Sequence, residues 1–133
     1  MGIMVSNDKI VLSFAEFSLI QDNVVCVKFT QEGEIDEEKA KGILVSTLEL
    51  SKGEDHAILY DLNKLNIIFS GIAKKMAESR NASSDKLYAR AFVVYNLSNK
   101  LEVNHFLKFN RPTTPTKLFT AAGDALKWIK LQE

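Results

Sequence analysis

Few side chains in this sequence of 133 residues carry reactive chemistry, and their surroundings limit what each could do. The single cysteine, Cys26, lies inside the apolar run VVCVKF. A thiol works as a nucleophile or metal ligand only as the thiolate, which apolar burial disfavours, so Cys26 reads as a packed structural residue. His56 follows Glu54 and Asp55 in a predicted turn, and His105 falls on a predicted helix. Neither has a second histidine or cysteine at metal-ligand spacing, so no metal is expected. No Gly-x-Ser-x-Gly, Walker or dinucleotide glycine pattern occurs, and the six glycines are scattered. With no acid, base and nucleophile grouped together, the sequence predicts a protein that is no enzyme and carries no cofactor.

Two residues have a choice of roles. Ser70 opens a predicted helix, where a hydroxyl can cap the free amides or, phosphorylated, present a dianion to the positive end of the helix dipole. The preceding Ile67-Ile68-Phe69 run draws this segment towards the core, so the cap is the expected role and phosphorylation is not. Asp61 ends a predicted buried strand, at the sheet edge where α/β proteins bind ligands. Its simpler role is to hydrogen-bond a neighbouring loop.

Two surfaces could receive a partner. Lys108, Asn110, Arg111, Thr113 and Thr114 form a polar, basic rim around the prolines of FNRPTTPT, suited to an anionic head group or an acidic loop. The connection from Asn63 to Phe69 holds Leu65, Ile67, Ile68 and Phe69. These four either roof the core or leave an apolar patch or pocket for a protein or an acyl chain.

The elements that must position these residues follow from periodicity and punctuation. EFSLIQ at 16–21 and VVCVKFT at 24–30 read as two strands joined through Asp22-Asn23, an N-terminal antiparallel hairpin, with IVLSF at 10–14 a further short strand. Asp36 is a predicted N-cap for a helix whose stripe is Ala40, Ile43, Leu44, Thr47 and Leu48, ended by Ser51-Lys52-Gly53. AILYDL at 57–62 and ARAFVVYN at 89–96 are apolar enough to be central strands. Between them a helix from Ser70 would bury Ile72, Ala73, Met76 and Ala77, followed by a polar loop at 79–86. A third helix from about Asn99 to Asn110 would turn Leu101, Phe106 and Leu107 inward, and Pro112 would stop it. Thr116 to Phe119 form a last strand, and Thr120 would cap a final helix carrying Ala122, Ala125, Leu126 and Ile129, with Trp128 beside that stripe. Strands separated by helices imply a single α/β domain over residues 1–133, with a mixed sheet of about five strands and about four helices.

Composition narrows the partners. Seventeen basic residues balance seventeen acidic ones, against the cationic surplus nucleic-acid binding requires. The same balance lowers the barrier to self-association, so a homodimer is a candidate state. No apolar run approaches the ~20 residues of a membrane span, and the lone cysteine suits a reducing, cytoplasmic compartment.

The segments VNHFLKFNRPTTPTKLFTAAGDALKWIK and ILYDLNKLNIIFSGIAKKM together resemble the STAS/SEC14-type domains of the SpoIIAA-like superfamily, in particular small bacterial stand-alone members. The resemblance covers nearly the whole chain in element order and is specific in its last quarter. It implies a regulatory or scaffolding domain acting through protein–protein contacts, or a carrier of a small lipid-like ligand near the 63–69 loop. In the antagonist branch of that family an Asp-Ser-Ser-Gly-Leu motif holds a phosphorylated serine. Ser70-Gly71-Ile72 stands in its place here, with Phe69 where the aspartate would be, and Asp61 matches a framework aspartate.

Overall fold

Alternating apolar and polar residues build the first third into an antiparallel ribbon. β1 (Lys9–Val11), β2 (Ala15–Ile20) and β3 (Val24–Phe29) are consecutive, and β2 and β3 join through a single 3-10 turn at Gln21–Asn23. Asn23 closes that turn at φ 58°, a left-handed conformation asparagine tolerates. The computed structural model describes residues 9–71, 86–110 and 114–133. β4 (Gly33–Ile35) leads into α1 (Glu37–Ser51), capped by the Asp36 carboxylate, which accepts from the Lys39 amide at 2.9 Å. Glu37 and Glu38 then meet the positive end of the dipole. Lys52 at φ 56° and Gly53 at φ 73° turn the chain out of the helix.

The remaining elements are β5 (His56–Asp61), β6 (Ile67–Phe69), β7 (Leu87–Val93), α2 (Leu97–Asn110), β8 (Thr116–Phe119) and α3 (Ala122–Leu131). Six strands form one mixed sheet in the order β1-β2-β3-β5-β7-β8, antiparallel from β1 to β3 and parallel from β3 onward. As predicted, β5 and β7 are interior and buried. β4 and β6 form a second, two-stranded parallel sheet, which the sequence reading missed. Three residues are too few for periodicity to register. The described residues thus hold eight strands and three helices. The helix predicted from Ser70, with Ile72 to Ala77, lies outside the described residues beyond Gly71, as do Arg111, Pro112 and Thr113.

Each face of the large sheet has its own core. On one, Phe14, Phe17, Val25, Val27, Phe29, Ile58 and Phe92 meet Ala40, Ile43 and Leu50 of α1 and Val103 and Phe106 of α2. On the other, Val24, Ala57, Leu59, Ala89, Ala91 and Val93 meet Ala125 and Ile129 of α3.

Four helix positions depart from expectation. Leu48 is exposed because the contact strip of α1 runs Ala40, Ile43, Thr47, Leu50 and leaves Leu48 on the flank. Leu101 lies opposite Val103 and Phe106 and is exposed, and Ala122 is exposed in the first turn of α3. The N-cap of α3 is Ala121, which makes no side-chain hydrogen bond, so Thr120 is not the cap. The Pro115 carbonyl, just before β8, accepts from the Arg90 amide at 2.9 Å.

Candidate functional site at the carboxyl edge of the sheet

Parallel strands gather their last residues at one edge, so β3, β5 and β7 deliver Lys28, Asp61 and the chain just before Tyr95 to neighbouring places. Lys28 pairs in register with Asp61, and Asp61 with Val93. Asp61 is half-buried and organises this corner. One carboxylate oxygen accepts from the Asn63 amide at 2.9 Å, and the Tyr95 hydroxyl donates to the same carboxylate.

The loop beyond Asp61 is a tight turn. Leu65 N–H donates to the Leu62 carbonyl at 3.0 Å, and the two central residues are both left-handed, Asn63 at φ 54° and Lys64 at φ 62°. That is the type I′ arrangement, natural for asparagine and costly for lysine. Asn63 reaches across to β3, where its side-chain amide donates to the Phe29 carbonyl at 3.2 Å. Asp61 and Asn63 therefore bind the loop to the sheet.

The apolar residues after the turn divide by strand alternation. Leu65, Ile67 and Phe69 turn into the core, while Ile68 between the last two is 54% exposed. Phe69 meets Phe29, Phe92 and Phe106 with ring centroids 6.4, 6.0 and 6.3 Å away, so rings fill the space beneath the loop. Side chains of α2 hold the outer edge of β6. The Phe69 amide donates to Glu102 at 3.0 Å and the Ile67 amide to the buried Asn99 at 3.5 Å. The next amide along, that of Ser70, donates to the Ile35 carbonyl at 3.2 Å and continues the β4–β6 ladder. Any capping role of its hydroxyl concerns a helix outside the described residues. Lys108 is exposed on α2, and Arg111 lies outside the described residues.

Sequence reasoning left Cys26, Lys28, Tyr95 and Glu102 out of this corner. Lys28, the outward member of an otherwise apolar strand, was the available signal. Tyr95 and Glu102 act through contacts across the fold that no local pattern encodes. Cys26 is half-buried beside the corner, and burial, reinforced by the Asp61 charge, pushes its thiol up to about 11 against a weaker opposing pull from Lys28. Burial raises the Tyr95 phenol too, with Asp61 adding to the effect. At neutral pH both groups keep their protons, so the corner offers hydrogen-bond donors beside a carboxylate and an ammonium. His56 is buried, and its Nδ1 lies 2.9 Å from the Glu54 carbonyl, to which it donates. Among the described residues, no group of three His, Cys, Asp or Glu could hold a metal ion, and no helix is long and apolar enough to cross a membrane.

Residues 18–132 match the family model described as domain of unknown function DUF7793. The chain belongs to this family. No curated protein matches the DUF7793 chain. It is similar to a crystal structure of a protein with unknown function from Arthrobacter sp. FB24, at 21% identity over 86% of this chain and 98% of that one, with a TM-score of 0.32.

Proposed function

We propose that the chain is a non-enzymatic regulatory or scaffolding domain of the cytoplasm that works through protein–protein contacts, as its resemblance to STAS/SEC14-type domains implies. One observation carries the reading. α2 buries Asn99, Val103 and Phe106 and presents Leu97 and Leu101, one turn apart on its outer ridge, at 69% and 60% exposure. Large apolar side chains left grouped in water at one end of a domain mark a place where something else binds. The alternative, a carrier of a lipid-like ligand beneath the 63–69 loop, is disfavoured by the rings of Phe29, Phe69, Phe92 and Phe106 that occupy that space.

Cross-linking in the native host, comparing wild type with a Leu97→Ser/Leu101→Ser double variant, tests the proposal. Wild type should give a discrete cross-linked protein that the variant loses while keeping its melting temperature. An unchanged cross-linking pattern would remove the α2 ridge as the contact surface.

A further inference from the structure

The two halves of the α3 side of the sheet differ in cover. α3 packs over β5, β7 and β8 and its core reaches Val24 at the start of β3, whereas farther along β1, β2 and β3 the outward Lys9, Val11 and Lys28 are exposed and Glu16, Ser18 and Cys26 half-buried. Register sets these residues in rows across the strands. Val11, Glu16, Lys28 and Asp61 make one row, and Lys9, Ser18 and Cys26 the next. Lys9 reaches the first row diagonally, its Nζ 3.6 Å from the Glu16 carboxylate.

Charge therefore alternates along this half-face as Lys9, Glu16, Lys28, Asp61. Lys28 is exposed between two carboxylates on neighbouring strands, and on this face Glu16 pairs with Lys9 rather than with Lys28. Among the described residues no acid lies within ion-pair distance of the Lys28 ammonium. Lys28 and Asp61 are partners in register and Cys26 lies two residues before Lys28 on the same strand, which puts all three on the same side of the sheet.

An even row of alternating charges has a particular property: reversed end to end, every sign is exchanged. A two-fold axis parallel to the strands, between β2 and β3, would stack two such faces with Glu16 over a second copy's Lys28 and Lys28 over its Glu16. The same operation carries Lys9 towards the second copy's Asp61. From this charge complementarity we infer that the half-face around Glu16 and Lys28 is a docking surface for a second copy of this chain. Alternation of sign fits a uniformly charged partner poorly, and a net charge of zero leaves no overall repulsion between copies.

Strands about 4.8 Å apart, two of them about 20 Å long and β1 about 10 Å, offer a few hundred Å² per copy, well under the ~800 Å² typical of a stable complex. The dimer is accordingly weak, reversible and sensitive to salt. It is independent of the α2 ridge, which lies on the other side of the sheet.

Sedimentation of the whole chain across a concentration series tests the inference. Wild type should associate at roughly 0.01 M salt and dissociate at roughly 1 M, where the screening length falls from about 30 Å to about 3 Å. Glu16→Lys and Lys28→Glu each set like charges face to face, so each variant alone should remain monomeric. Mixed in equal amounts they should form a heterodimer, because the first variant's two bases then lie over the second's two acids. The salt series needs no variant, so the inference stays testable should either substitution disturb folding. A wild type monomeric throughout, a dimer indifferent to salt or to both reversals, or a mixture that stays monomeric would each overturn it.

Discussion

The two faces of the six-stranded sheet are built from different sizes of side chain. Beneath α1 and α2 it presents rings, with Tyr60 and Phe92 stacked at 4.9 Å and Phe106 of α2 closing on Phe92 at 5.9 Å. Beneath α3 it presents Ala57, Ala89 and Ala91, small enough for that helix to seat Ala125 and Ile129 close against the strands. The ring face gains stability from large interlocking volumes, the alanine face from close approach. The first should therefore be vulnerable to truncation and the second to enlargement.

Truncation should have the largest effect. Phe92→Ala removes the ring shared by Tyr60, Phe69 and Phe106, and should cost about 4 kcal/mol in urea denaturation. A loss under about 1.5 kcal/mol would mean that the cluster closes over the gap and that the contrast between the faces is overstated. On the opposite face Ala91→Leu, at a position with no exposure, should cost about 2 kcal/mol by overpacking. A neutral or stabilising result would show that α3 leaves room above the strands.

Cys26 marks the margin of the alanine face, and its thiol gives the contrast a pH dependence. The folded value of about 11 lies above the ordinary 9.0. The unfolded chain therefore loses this proton first as pH rises. Stability is fully present below pH 9 and is lost between 9 and about 11, by at most about 2 kcal/mol after discounting for partial exposure. Cys26→Ser should flatten that part of the wild-type profile, and superimposable profiles would contradict the burial of the thiol. The smallest effect belongs to α1 on the ring face. Asp36→Ala removes the cap on the Lys39 amide and should lower stability by about 1 kcal/mol.

Elements long enough to show a period were legible in the sequence. VVCVKF reads as a strand because its β-branched residues flank a single outward lysine, and Asp36 reads as a cap because two glutamates follow it. The short strands β4 and β6 were not legible, because Ile67 to Phe69 become a strand only when Gly33 to Ile35 lie alongside. Leu101 misled because apolarity marks burial poorly on a helix with one outer ridge. At the site, Asp61 was legible from its place at a strand end. Its Tyr95 partner was not, because that hydrogen bond joins the end of β5 to the connection after β7, far apart in the sequence. The 63–69 connection was legible in half: its apolar residues do roof the core, and their alternation leaves Ile68 outside.

The central claim is that the apolar stretch after Asp61 closes into the core and that the chain acts through its outer surface. Native mass spectrometry of protein purified from its own host tests this most directly. The account predicts the chain mass, or complexes with further protein chains, and no retained small molecule. A stoichiometric increment from an apolar ligand, lost on denaturation, would contradict it.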